Sequence, residues 1–213
     1  MHYVSVENCT KSYGITPLFS NISFHIQQGN KIALIARNGT GKSTLLQILN
    51  GTETPDEGKV WIHKDVKVAL FTQEPVLDEK DTVINNIFHL QNPIVQAIRN
   101  YEDAVLNNDE HAMPIALEKM DELNAWSYEA KVHQILAKLN ITAFNQIVGT
   151  LSGGQKKRVA LAQTLIDIGF DDTHTLLMMD EPTNHLDVEM IEWLENYLSQ
   201  EDVTLLMVTH DRY

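Results

Sequence analysis

Lys42, Ser43, Asp180 and Glu181 are the side chains best placed to do chemistry, because each stands where an apolar stretch gives way to a loop or a helix. The first pair closes the run Ala36-Arg37-Asn38-Gly39-Thr40-Gly41-Lys42-Ser43-Thr44. Glycines at this spacing let successive backbone N–H groups converge on phosphate oxygens, and the helix expected to follow turns its positive end to the same point. In such a loop the lysine reaches the β and γ phosphates and the serine hydroxyl ligates magnesium. A glycine-rich turn before a helix is the plain alternative, but the intact Gly-Lys-Ser-Thr after an apolar stretch weighs against it. The usual pattern opens with glycine where this chain has Ala36, whose methyl group is expected to tighten the first turn of the loop.

Asp180 and Glu181 end the apolar stretch Thr175 to Met179 and precede Pro182-Thr183-Asn184-His185. A carboxylate there can hold a water on magnesium, and its neighbour can orient or deprotonate an attacking water. Two acidic residues at a strand end are common; the apolar run before them and the Pro-Thr-Asn-His after them are not. Leu151-Ser152-Gly153-Gly154-Gln155, followed by Lys156, Lys157 and Arg158, should open a helix at about Gly153 or Gly154. Its serine hydroxyl and free N–H groups suit a γ phosphate, although Ser152 alone would read as an ordinary helix cap.

These residues need a scaffold. Alternation in Tyr3 to Glu7 and Ile22 to Ile26 predicts half-buried strands, the second followed by a turn at Gln28-Gly29-Asn30. Lys31 to Ala36 predicts a strand running into the loop and a helix over Lys42 to Asn50. After a turn at Thr54 to Gly58, Lys59 to Ile62 and Val66 to Phe71 read as strands. Helical spacing then takes over between Asp78 and Asn145, with Tyr128, Val132, Ile135, Leu136 and Leu139 on one face. That segment holds 11 acidic and 5 basic residues, which predicts an acidic, solvated helical insertion. Asp167 to His174 reads as a surface loop, Val188 to Leu198 as a helix, and Thr175 to Met179 and Val203 to Val208 as buried strands. Buried apolar strands joined by helices predict a mainly parallel sheet covered on both faces.

Composition narrows the function. The 213 residues carry 16 basic and 29 acidic side chains, a net charge of −13, which leaves no means of building a broad nucleic-acid-binding surface. The longest apolar runs fall far short of the roughly 20 residues that span a bilayer. The start of the chain lacks the basic flank and apolar centre of a secretory signal, so the expected compartment is the cytoplasm. Cys9 is the single cysteine, which excludes an internal disulfide.

The chain resembles an ATP-binding-cassette (ABC) ATPase domain through the phosphate loop, Gln73, the Leu151 to Gln155 signature, Met178 to Pro182 and His210. More narrowly it is similar to the first cassette of ABC-F proteins of the Uup type, through Pro182 to Asp187, Thr209 to Tyr213 and the stretch Leu123 to Leu139. The resemblance implies an α/β P-loop NTPase fold with a mainly parallel core sheet, N-terminal antiparallel strands and the helical insertion. It divides the chain into a nucleotide-binding core at 1–77 and 174–213 and a helical part with the signature at 78–173.

It further implies ATP and Mg²⁺ as cofactors, with Ala36 to Thr44 around the phosphates and Ser43, Gln73 and Asp180 at the metal. Tyr13 then stacks on adenine, with core packing as its alternative. Glu181 is the base or water-positioner, His210 contacts the γ phosphate, and Asp187 couples paired sites. Ser152, Gly153, Gly154 and Gln155 serve a nucleotide held by a second cassette, so one cassette cannot complete a site alone. The family continues beyond the point where this sequence ends, which implies a piece of a two-cassette chain that meets the ribosome through other segments. An ATPase subunit of a membrane transporter is the first alternative and a nucleotide-gated DNA-associated protein the second. Pro182 to Asp187 and His210 to Tyr213 weigh against the former. The acidic charge, with Glu181 and His210 intact, weighs against the latter.

Overall fold

The computed structural model describes residues 1–88, 93–169 and 174–209. The chain divides into two compact units, Met1–Glu74 with Asp172–Tyr213, and Pro75–Asp171.

The first unit holds two sheets. Strands β1 (His2–Ser12), β2 (Pro17–Gln27) and β4 (Glu57–Ile62) form an antiparallel sheet in the order β2-β1-β4. Strands β3 (Lys31–Ile35), β5 (Lys67–Phe71), β6 (Thr175–Asp180) and β7 (Thr204–Thr209) form a parallel sheet in the order β3-β7-β6-β5. Helix α1 (Lys42–Leu49) shares one core with both: Leu45, Leu46 and Leu49 pack among Val4, Val6, Cys9 and Ile26 from one sheet and Leu176, Met178, Leu206 and Val208 from the other. Each such fully buried aliphatic side chain contributes about 1.5–3 kcal/mol through the water it leaves. Cys9 is fully buried, and burial first, then the nearby Asp56 carboxylate, pushes its thiol up from the ordinary value. The last helix of the unit, α7 (Val188–Gln200), buries Met190, Leu194 and Leu198.

The sheet follows the sequence pattern with one instructive difference. Strand β6 is buried at all six positions because it lies between β7 and β5, flanked on both edges by hydrogen-bonded neighbours. Strand β3, equally apolar in sequence, pairs among the described residues with β7 alone and alternates between exposed and half-buried residues, with Ile35 47% exposed. An apolar run fixes a strand but does not say whether it sits at the centre or the edge.

The second unit is helical: α2 (Val83–Ile87), α3 (Pro93–Leu106), α4 (Ala112–Glu122), α5 (Trp126–Lys138) and α6 (Gly153–Gly169). The stripe on α5 buries Val132, Ile135 and Leu136, with Leu139 just beyond its end, against a core that includes Leu161 and Leu165 of α6. Helix α6 runs on through Gly169, so Asp167 to Gly169 are helical rather than part of the expected loop, and residues 170–173 lie outside the described residues. Leu165 and Ile166, both buried, carry the helical stripe up to Asp167; the polar, turn-rich residues after Ile166 masked that continuation. Among the described residues no helix is long and apolar enough to cross a membrane.

Candidate functional site

Strand β3 delivers the chain into the loop 36–41, and α1 takes it away. Gly41 makes the corner at φ 85°, ψ 18°, in the left-handed region that glycine enters without penalty. A side chain is also excluded by space, since a Cβ there would lie 2.8 Å from Phe19 Cδ1 and 2.9 Å from Leu18 Cβ. The helix starts without a side-chain cap, so its first N–H groups face the loop rather than a serine or aspartate of the chain. The loop is braced internally: the Thr40 hydroxyl donates to the Arg37 carbonyl at 2.8 Å. Ala36 lies outside the left-handed region, and its N–H reaches the Thr209 carbonyl at 3.3 Å.

Lys42 is 7% exposed, and its Nζ donates to the Ala36 carbonyl at 2.7 Å and to Asn38 Oδ1 at 3.3 Å. The same ammonium pairs with Glu181 Oε1 at 3.5 Å. Asn184 donates to the other carboxylate oxygen of Glu181 at 2.7 Å. Glu181 adopts φ 50°, a conformation that costs a non-glycine residue about 1–2 kcal/mol and that concentrates at functional sites. Its N–H is tied to the Val208 carbonyl at 2.8 Å, so the turn after β6 is held by β7.

Asp180 is 5% exposed. Burial pushes its carboxyl above the usual carboxylate range, a hydrogen bond with Ser43 pulls it back, the Glu181 charge raises it and the Lys42 charge lowers it. The buried Asp180 carboxylate, hydrogen-bonded to the Ser43 hydroxyl, and the Gln73 side-chain carbonyl on the cleft that Ser43 also lines are oxygen donors of the kind a hard divalent cation takes. Among the described residues, the three therefore fit magnesium.

Tyr13, Leu18, Asn38, Gly39, Gly41, Lys42, Ser43, Thr44, Gln73 and Glu181 line a single open cleft of about 470 Å³. That lies within the roughly 300–1,000 Å³ of small-molecule sites. Nearly every candidate from the core unit is thus on or beside one cleft. Asp187 is occupied otherwise: its carboxylate accepts from the Met190 N–H at 2.9 Å and caps α7. His210 lies outside the described residues.

The signature belongs to the second unit. There the Ser152 N–H donates to Gln155 Oε1 at 2.9 Å, and the Gln155 N–H donates back to the Ser152 hydroxyl at 3.3 Å. This reciprocal pair is a capping box at the head of α6. Lys156 pairs with Glu79, and Arg158 donates to the Leu139 carbonyl at 3.4 Å. A side chain at Gly153 would meet nothing within 4 Å.

Three site-related side chains escaped the sequence reading: Asn184, which holds Glu181, and Lys11 and Glu53, which hold Tyr13. Asn184 sat inside the Pro-Thr-Asn-His run, and an amide three residues past a strand-end carboxylate was a usable signal. Glu53 gave none, being 40 residues from Tyr13 in the chain.

A family model described as ABC transporter matches residues 19–184. The chain is 42% identical over 221 residues to the uncharacterized ABC transporter ATP-binding protein YfmR of Bacillus subtilis, across 100% of this chain and 34% of that one. It is 34% identical to the ATP-binding protein Uup of Haemophilus influenzae, across 100% of this chain and 33% of the relative. Against the energy-dependent translational throttle protein EttA of Mycobacterium tuberculosis the identity is 32%, across 98% and 38%. The chain therefore spans about a third of the length of these curated relatives. In fold it is similar to a dimeric ATP-binding cassette solved in a post-hydrolysis state with ADP and Pi, with a TM-score of 0.64, 24% identity, and coverage of 98% of this chain and 88% of that one.

Proposed function

The chain belongs to the ABC transporter family as a cassette of the ABC-F type, and we propose that it binds Mg-ATP in the cleft around Lys42 and hydrolyses it once a second cassette is engaged. The observation that carries this reading is the Lys42 to Glu181 pair, 3.5 Å apart on the wall of a nucleotide-sized cleft. It joins a phosphate-binding cation to a carboxylate that can act on water.

Catalysis of phosphoryl transfer is mostly positioning and charge neutralisation. Lys42 and the N–H groups at the head of α1 bind the β and γ phosphates. Glu181, steadied by Asn184, receives the proton of the attacking water as the water oxygen bonds to the γ phosphorus and the bond to the β–γ bridging oxygen breaks, leaving ADP and phosphate. Ser43, Asp180 and Gln73 would hold magnesium, which when bound neutralises phosphate charge. Tyr13 takes the adenine, and Ser152 to Gln155 face the γ phosphate of a nucleotide held by the second cassette. Asp187 and His210 keep the coupling and γ-phosphate roles that the family resemblance implies.

We further propose that the protein containing this cassette works in the cytoplasm on ribosomes, through segments other than those present here. The motifs Pro182 to Asp187 and Thr209 to Tyr213 and the likeness to a translational throttle protein support this. Glu181→Gln should keep Mg-ATP binding and lower turnover about 10²- to 10⁴-fold in assembled cassettes; unchanged turnover refutes the assignment. In the gene product carrying that substitution, ATP should drive co-sedimentation with ribosomes. Retention in membranes with an integral partner would make the protein a transporter subunit instead.

A further inference from the structure

Tyr13 sits in the four-residue connection between β1 and β2, is 61% exposed, and yet is not loose. Its hydroxyl donates to Glu53 Oε2 at 3.0 Å, and the Thr44 hydroxyl of α1 reaches the same phenol. Lys11 Nζ lies 5.4 Å from the ring centroid and donates to Glu53 Oε1 at 3.0 Å. The two oxygens of one carboxylate therefore hold both the ring's tip and the cation beside the ring.

Lys11 is itself fixed. Its ammonium also donates to the Thr54 carbonyl at 2.8 Å and to Asp56 Oδ1 at 3.2 Å, which uses all three of its N–H donors. Asp56 Oδ2 in turn accepts from the Ser12 N–H at 2.7 Å, one residue before the tyrosine. With its three donors engaged by Glu53, Thr54 and Asp56, Lys11 braces the surroundings of Tyr13. The Glu53 hydrogen bond, as the largest cause, raises the Tyr13 phenol above its ordinary value, so it remains a donor throughout the neutral range.

We propose that Glu53, braced by Lys11, is a positioning residue for nucleotide base binding: it locks the Tyr13 ring as a stacking platform at the edge of the phosphate cleft. This rests on the reading of the Lys42 cleft as the triphosphate site. A ring on an exposed hairpin loses rotamer freedom when a base stacks on it, and an anchor that removes this freedom beforehand strengthens binding. The anchor reads no base edge, so by itself it does not discriminate among bases.

The test is equilibrium binding of Mg-ATP and of Mg-tripolyphosphate, which has no base, to the 213-residue chain and its variants. Glu53→Ala should weaken Mg-ATP about five- to tenfold, the worth of one hydrogen bond, and leave Mg-tripolyphosphate unchanged. Tyr13→Phe, which keeps the ring but not the hydroxyl, should lose a similar factor, and adding Glu53→Ala to it should cost nothing more. Glu53→Gln, which keeps an acceptor for the phenol, should recover most of the loss. The proposal is overturned if Glu53→Ala leaves Mg-ATP within twofold, weakens tripolyphosphate equally, or still weakens Mg-ATP in the Tyr13→Phe background. If Lys42→Ala leaves the binding of both probes unchanged, the cleft is not the triphosphate site, and that failure is recognisable separately.

Discussion

The chain contains two glycine-rich loops that each feed a helix, and they treat the head of that helix in opposite ways. At α1 the last loop residue is a left-handed glycine, and among the described residues no side chain caps the helix. At α6, Ser152 and Gln155 satisfy one another's backbone donors in a closed box. The first helix is preorganised for an anion supplied from outside. At the second, the Ser152 N–H is already taken by Gln155 Oε1, while the Ser152 oxygen accepts the Gln155 N–H and keeps its O–H free to donate.

Breaking the first loop should have the largest effect. Gly41→Ala forces a Cβ into the left-handed region and against Phe19 and Leu18; loss of Mg-ATP binding by more than about tenfold, read by calorimetry, is expected, with about 1–2 kcal/mol of destabilisation. The matching change in the second loop, Gly153→Ala, meets open space and should leave ATP affinity of the chain alone unaltered. Equal losses from the two substitutions would erase the distinction between the loops.

Ser152→Ala comes next. It removes one half of the capping box and should cost about 1 kcal/mol, seen as faster amide exchange in the first turn of α6. Affinity for ATP in the isolated chain should hold while turnover in paired cassettes falls. Slower exchange would mean that the box is not what caps the helix.

The smallest effect sharpens the picture of the cleft itself. Burial raises the Asp180 carboxyl, so its contribution favours the fold below the ordinary carboxylate range and is lost as pH rises through the raised value. At neutral pH the ionised group therefore costs stability, and Asp180→Asn should raise Tm by about 2 °C while weakening magnesium-dependent ATP binding. The gain should shrink on acidification; a gain that grows would reverse the sign assigned to this carboxyl.

The two loops also differ in how far the sequence disclosed them. Gly-Lys-Ser-Thr after an apolar stretch predicted a strand, a corner and a helix, because the left-handed corner and the close approach of Phe19 admit only glycine. The start of α6 was equally plain, but the glutamine that closes its box was read as part of a phosphate-binding signature, since capping and ligand binding call on the same residue types. The parallel sheet was visible as apolar runs, whereas the edge position of β3 was not, because burial of an edge depends on strand order and local pattern does not encode it. The Lys11, Glu53 and Tyr13 cluster was invisible for a related reason: two of its members sit 40 residues apart, and only the fold brings them together.

Cys9 has a practical consequence. It is the single thiol of the chain, lies fully buried on the core face of β1, and is held protonated by its surroundings. Thiol-directed dyes and spin labels will pass it by. A cysteine introduced on the exposed start of α7, at Val188, would be the one accessible thiol of this chain, so a single-site thiol label can be installed without first removing Cys9.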